Sequence, residues 1–396
     1  SESFITKFAH VYTPIVVIVA LLLAVIPPLF SSVGFAESFP AWFHRALIFL
    51  VVSCPCALVI SVPLTFFGGL GGASRKGILI KGSNYMDTLA RVGTVVFDKT
   101  GTLTRGEFEV TSVHPDDFNE TELLHLAAHV EHFSTHPIGE ALRTAFPNEA
   151  TDGCKITDVE EIAGHGIRAN VSGCTVCVGN SKMMDAIGVK WNNCHSIGTI
   201  IHVAVDGKYV GHVVINDRLK DDSAQAVKSL KRLGVDHMVM LTGDRKEVAF
   251  DVAKKLGLDT CYAELMPADK VRYVEQLLAT KTENKTLAFV GDGINDAPVL
   301  KRADIGIAMG GLGSDAAIEA ADVVLMDDQP SKIATAIRIA RRTIRIAHEN
   351  VWFAIGIKIA ILVLASIGFG TMWMAVFADV GVTVLAVFNA MRALRI

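Results

Sequence analysis

Thr94–Thr104, TVVFDKTGTLT, is the stretch around which the chain is organised. The apolar run Val95-Val96-Phe97 ends on Asp98, and Lys99, Thr100, Gly101 and Thr102 follow. Apolar residues that meet an acidic residue and then a glycine-containing turn are expected to form a buried strand delivering a carboxylate into a loop. In an open α/β sheet the loop at the carboxyl end of a parallel strand is where chemistry sits. A carboxylate there, beside backbone amides that cradle phosphate, is placed to attack a phosphoryl group. Asp98 is therefore expected to become an aspartyl-phosphate. The plainer reading, an aspartate capping a turn, does not account for a string as specific as DKTGTLT.

The pattern recurs downstream. Met238–Leu241 runs into Thr242-Gly243-Asp244, and Leu287–Val290 runs into the GDGIND segment that carries Asp292, Asn295 and Asp296. Helical patterns such as Ser223–Leu233 and Lys246–Leu256 alternate with these runs, which predicts βαβ units and a parallel sheet. Three acidic loops at three strand ends then converge on one edge of that sheet. Asp292 is expected to hold Mg²⁺ beside Asp98, because that ion takes a few hard oxygens plus substrate phosphate. Asp296 is expected to support the metal or the loop from behind. Thr242 and Asn295 offer hydrogen bonds to the transferred phosphoryl oxygens, and Lys270, after Met266-Pro267-Ala268-Asp269, offsets their charge.

With 396 residues, 51% hydrophobic and 20% charged, the chain is too long for one ordinary domain and too apolar for a purely soluble one. A net charge of −4 gives no case for nucleic acid as a partner. Apolar runs at Tyr12–Phe30, Phe43–Leu70, Val351–Gly370 and Trp373–Met391 are each long enough to cross a lipid membrane. Ser1–His10 does not read as a basic leader before a cleavage site. Arg75, Lys76 and Lys81 follow the second run, Arg338, Arg341, Arg342 and Arg345 precede the third, and Arg392 and Arg395 end the fourth. By the positive-inside rule these flanks, and the large region between the second and third runs, are cytoplasmic, so a multi-pass protein of a plasma or inner membrane is expected. Seven cysteines in such a chain are expected as free thiols or ligands.

Within the second run stands Cys54-Pro55-Cys56. Proline breaks the helix ladder, and freed backbone at membrane depth is tolerated where it lines a protected cavity. Two thiols at that break make a soft metal site for Zn²⁺, Cd²⁺, Pb²⁺ or Cu⁺. The third and fourth runs carry one ionisable residue each, Lys358 and Asp379, and such residues inside spans are costly and usually functional. A hard carboxylate beside two thiolates favours a divalent ion over Cu⁺, with Lys358 as a counter-ion for Asp379 once the metal leaves. Residues 105–210 interrupt the α/β rhythm and are long enough for an inserted domain. They contain His136-Pro137 and Gly164-His165-Gly166, where a glycine pair allows close approach to a nucleotide. His125, His129 and His132 are read as surface or core residues. Cys174 and Cys177 fall in an expected strand, where positions three apart face opposite sides, so they are not read as a metal pair.

Together DKTGTLT, TGD, GDGIND, His136-Pro137 and CPC resemble, in order, the P-type ATPases, and CPC narrows the resemblance to their heavy-metal-transporting, CPx-type subgroup. Lys358 and Asp379-Val380-Gly381 resemble the zinc/cadmium/lead branch. The fold this implies is α/β plus α-helical membrane: a haloacid-dehalogenase-like phosphorylation domain (73–104 and 211–340), an inserted nucleotide-binding domain (105–210), and four transmembrane helices (two in 1–72, two in 341–396). ATP is implied as substrate and Mg²⁺ as cofactor, with His136, Gly164 and Gly166 binding the nucleotide and Glu131 near the adenine. Simple phosphatases of this fold carry a second aspartate two residues after the nucleophile. Thr100 stands there and cannot serve as general acid or base, so a long-lived phosphoenzyme is expected, as a pump requires. The family's actuator domain, with its Thr-Gly-Glu loop, and further N-terminal spans find no counterpart, so the chain is expected to be the C-terminal part of an exporter. The alternatives are a Cu⁺ exporter and a membrane-tethered phosphatase.

Overall fold

The computed structural model describes residues 2–32, 34–53, 56–133, 137–147, 153–194, 196–292, 296–310, 315–366, 369 and 371–395. Between the membrane helices the chain builds two sheets. The first has seven strands in the order β1-β13-β12-β11-β2-β9-β10. These are β1 (Ile78–Ile80), β2 (Val92–Asp98), β9 (His237–Leu241), β10 (Thr260–Tyr262), β11 (Thr286–Gly291), β12 (Ile305–Met309) and β13 (Val323–Leu325). All neighbours are parallel except β1 on β13. Alternation along β2 sends Val95 and Phe97 to one face and Val96 to the other. The first two pack with Met238, Met240, Ala288 and Val290, and the last with Val239, Leu241, Leu287 and Phe289. Both faces are covered by helices, which is why β2 reads as a continuous apolar run. Each such buried side chain contributes about 1.5–3 kcal/mol.

The second sheet has six strands in the order β3-β8-β7-β6-β5-β4, all antiparallel. They are β3 (Thr104–Pro115), β4 (Ile156–Ile162), β5 (Gly166–Val171), β6 (Cys174–Gly179), β7 (Thr199–Val205) and β8 (Lys208–Leu219). The helices Glu120–Val130 and Pro137–Ala145 close its core through Leu123, Ala127, Val130 and Leu142. The first of these starts on a capping box, with Asn119 accepting from the Glu122 amide and Glu122 returning the bond. β8 corrects the expected boundary at residue 210. It stays in the second sheet to Leu219, paired with β3 from Pro115↔Gly211 to Thr104↔Leu219. Its buried run Val213-Val214-Ile215 is laddered on both edges, and an apolar run of that length reads equally as a strand of either sheet. Both crossings between the sheets thus lie side by side at Thr104 and Leu219.

Among the described residues, four stretches are long and apolar enough to cross a membrane: Tyr12–Leu29, Phe35–Arg75, Ser331–Leu364 and Phe377–Leu394. Leu21, Phe67, Trp352 and Phe388 stand exposed along them, as lipid-facing side chains do. The helix Ser331–Ser366 has 36 residues, about 54 Å at the usual rise. Its first turns bury Ile333, Ile337 and Ala340 in the core of the seven-stranded sheet, and its later turns carry Lys358 among the membrane helices. One rigid rod therefore joins the sheet to the spans.

Candidate active site

β11, β2 and β9 stand side by side, with Phe97 level with Val290 and Asp98 level with Leu241. The loops after Asp98, Leu241 and Gly291 consequently open on one edge, as their spacing predicts. Asp98 is buried there. Lys270, on the helix Pro267–Thr280, donates to Asp98 Oδ1 at 2.7 Å and to Asp296 Oδ1 at 2.9 Å. Burial pushes the Asp98 carboxyl up to about 7, helped by the neighbouring Asp296 and opposed by Lys270. Burial also works against the Lys270 ammonium, but its two carboxylates outweigh that and hold its pKa above the usual value.

One lysine thus faces a concentration of negative charge, and the donor set invites a further cation. Carboxylate oxygens of Asp98, Asp292 and Asp296 lie within 4.8 Å of one another, a hard-oxygen set that fits Mg²⁺. Gly101 has a φ of +71°, and a Cβ on it would come within 2.4 Å of Asp292 Oδ2. Glycine at that position is what lets the two loops close. The Thr102 hydroxyl is buried with no hydrogen-bond partner among the described residues, a polar atom suited to a bound group. Thr242 is buried, its Oγ1 accepting from the Asp244 amide at 3.1 Å, while Thr100 is exposed at the mouth. Asn295 lies outside the described residues.

Three residues around this site carry no role in the sequence reading. Lys99 is buried and pairs with Asp244 Oδ2 at 2.5 Å and Asp217 Oδ2 at 3.5 Å. Asp244 follows β9 and Asp217 sits on β8, so one ammonium ties the two sheets together beside Asp98. Burial raises the Asp217 pKa against the pull of the Thr104 hydroxyl and Lys99. Lys220 donates to the Gly101 carbonyl at 2.7 Å and to Asp328 at 2.9 Å. The available signal is that charged residues abut buried strands, in DKTGT and in Asn216-Asp217-Arg218-Leu219-Lys220.

On the second sheet, a cavity of about 280 Å³ is lined by Glu131, Ile138, Gly164, Gly166 and Ile200. Glu131 is buried, and the Arg143 guanidinium donates to its carbonyl at 2.9 Å. Gly166 has a specific reason to be glycine: a Cβ would meet the Val178 carbonyl oxygen at 2.1 Å, across the β5–β6 pairing. A second cavity of about 560 Å³ shares Asn180, Thr199 and Ile200 with the first and ends at Lys99, Thr100 and Asp244. The first reaches Glu131 and the second the loop after Asp98. His136 lies outside the described residues.

In the membrane region the described helices Phe35–Ser53 and Cys56–Arg75 stand on either side of Cys54-Pro55. Cys54 lies outside the described residues. Cys56 is disulfide-bonded here, against the expectation of free thiols or ligands, and only its reduced thiolate holds a metal. Lys358 Nζ donates to the Val52 carbonyl at 3.1 Å and the Tyr12 hydroxyl to the Ser53 carbonyl at 2.6 Å. Lys358 is buried, with Nζ 3.9 Å from Asp379 Oδ1. Asp379 lies in a widened turn, Phe377–Gly381, of the kind often found at functional sites. Its Oδ1 is buried without a hydrogen bond among the described residues. Cys174 and Cys177 lie on β6, one exposed and one buried, and make no pair.

A haloacid dehalogenase-like hydrolase model matches residues 92–304, more than half of the chain. The chain belongs to that family. Within it, this chain resembles metal-transporting ATPases. It is 56% identical over 397 residues to a cadmium, zinc and cobalt-transporting ATPase of Bacillus subtilis (strain 168), covering 100% of this chain and 56% of that protein. It is 54% identical to a zinc-transporting ATPase of Synechocystis sp. (strain ATCC 27184 / PCC 6803 / Kazusa), covering 99% of this chain and 54% of the relative. The crystal structure of a zinc-transporting PIB-type ATPase in the E2.Pi state superposes with a TM-score of 0.87 at 38% identity, over 99% of this chain and 64% of that one. The chain spans about half the length of the curated relatives it matches.

Proposed function

We propose that this chain is the catalytic and membrane-core part of an ATP-driven exporter of Zn²⁺ and Cd²⁺, working through a phosphorylated Asp98. The observation that carries the reading is one polypeptide holding both the Asp98–Lys270 site and the Lys358–Asp379 pair in its spans, joined by the Ser331–Ser366 helix. Co²⁺ joins the cargo from the names of relatives, and Pb²⁺ rests on thiolate softness. Export and the cytoplasmic placement of both sheets follow from the basic flanks of the spans. The missing half of the pump would supply the actuator and the remaining spans.

The nucleotide spans the two cavities, its base against Glu131, Gly164, Gly166 and His136 and its phosphates toward Lys99 and Thr100. An Asp98 oxygen attacks the γ-phosphorus, the bond to the bridging oxygen breaks, and ADP leaves. Lys270 holds the carboxylate in place and offsets the charge on the transferred group, with Thr242 and Asn295 at its oxygens. Mg²⁺, held by Asp98 and Asp292 with Asp296 behind, supplies charge neutralisation when bound. With Thr100 in place of an acid or base, attack of water on the acyl-phosphate is slow in this half of the pump. In the membrane, Cys54, Cys56 and Asp379 hold the ion, and Lys358 takes up the Asp379 charge when it leaves.

The test is ATPase activity and acid-stable phosphoenzyme of the full-length pump across a metal panel. Zn²⁺ and Cd²⁺ should stimulate both, and Asp98→Asn should abolish both. Stimulation by Cu⁺ alone would assign the pump to copper, and turnover without a stable phosphoenzyme would make the protein a phosphatase.

A further inference from the structure

The sequence reading leaves His125 and His129 as surface or core residues, and the structure joins them to a cysteine from elsewhere in the chain. Both lie on the helix Glu120–Val130, four residues apart and so on one face. Their Nε2 atoms are 3.0 Å apart, and Cys154 Sγ lies 3.6 Å from His125 Nε2. One donor atom from each of the three residues falls within 4.8 Å of the others. His129 is buried, and His125 and Cys154 are half-buried. Phe146 packs on the His125 ring at 5.1 Å between centroids.

Zinc–nitrogen and zinc–sulfur bonds of about 2.05 and 2.3 Å at tetrahedral angles require nitrogens about 3.3 Å apart and nitrogen to sulfur at about 3.6 Å. The Cys154–His125 spacing matches, the histidine pair needs a small opening, and His129 and Cys154 lie within 4.8 Å of each other. Two imidazoles and one thiolate, with no carboxylate among them, suit a borderline-soft divalent ion and not Mg²⁺ or Ca²⁺. Two ligands on one helix face are preorganised, and the third arrives across the segment that joins Pro137–Ala145 to β4.

We infer that His125, His129 and Cys154 form a metal site on the nucleotide-binding domain for one Zn²⁺- or Cd²⁺-class ion, separate from the membrane site. The helix bearing both histidines runs directly into Glu131, which lines the nucleotide cavity, so the ion sits beside the pocket it is placed to influence. The site does not depend on transport and is tested by binding alone.

The experiment uses the full chain in detergent, reduced, with Cys54→Ala and Cys56→Ala to silence the membrane thiols, titrated with Co²⁺ as a spectroscopic probe. The expected result is one equivalent that gives a sulfur-to-cobalt charge-transfer band, tetrahedral-intensity visible bands, and displacement by Zn²⁺. Cys154→Ser should remove the charge-transfer band, and His125→Ala should weaken binding at least about tenfold. Both positions are half-buried, so neither variant depends on replacing the buried His129, and unchanged far-ultraviolet circular dichroism shows that each is folded. Absence of the band, its survival in Cys154→Ser, or its loss in Cys194→Ser, the thiol near His114 and His212, would overturn the assignment.

Discussion

Two lysine–aspartate pairs anchor this molecule, and they are built to opposite ends. At the sheet edge Lys270 Nζ is 2.7 Å from Asp98 and 2.9 Å from Asp296. Among the spans Lys358 Nζ stays 3.9 Å from Asp379 and gives its hydrogen bond to the Val52 carbonyl instead. The tight pair offsets the charge of the carboxylate cluster around Asp98. The loose pair leaves an aspartate oxygen buried and without a hydrogen bond among the described residues, beside a lysine that donates to the Val52 carbonyl. A neutralised carboxylate suits a group that must wait for phosphate, and an unsatisfied one suits a group that must take an ion.

The comparison breaks first at its two carboxylates. Asp98→Asn in the full-length pump should reduce acid-stable phosphoenzyme to background, since the amide is no nucleophile. Asp379→Ala should abolish Zn²⁺ stimulation while leaving phosphorylation by inorganic phosphate intact. Retained Zn²⁺ stimulation would show that the thiols alone hold the cargo. Next comes Lys270→Ala, expected to slow phosphoenzyme formation roughly 10²–10³-fold, the cost of losing one electrostatic stabiliser; a change in nucleotide affinity alone would assign Lys270 to binding. Lys358→Met should lower turnover and raise steady-state phosphoenzyme. It should also cost about 1–3 kcal/mol in unfolding, because the Val52 carbonyl loses its donor. Unaltered stability would mean that water replaces the ammonium.

The smallest effect sharpens the tight pair. With metals chelated, Asp98 titrates near 7 where an ordinary aspartate titrates at 3.8. An acid with a raised folded pKa binds its proton more tightly when folded, so its contribution is present below pH 3.8 and is lost as pH rises to about 7. The thermal midpoint of the chelated chain minus that of Asp98→Asn should fall across that window, and Mg²⁺ should reduce the fall. A flat difference would mean that Lys270 alone neutralises the site.

What the sequence determined by itself was chemistry carried by neighbours in the chain. DKTGT, TGD and GDGIND each put a strand, a turn and a carboxylate within a few residues, so their convergence on one edge of a parallel sheet was legible. The spans were legible because a bilayer demands one unbroken apolar length. Tertiary structure alone decided what depends on distant partners. Val210–Ile215 suits either sheet by composition, and only its ladders to β3 and β7 assign β8 to the second. Lys99 is ordinary in sequence and becomes a tie between sheets only because Asp217 and Asp244, from different sheets, meet it. The same holds for Cys154 beside His125, and for the 3.9 Å that separates Lys358 from Asp379. Periodicity and turn chemistry are local and survive in the sequence, whereas the distance between two charges is set by packing across the whole fold.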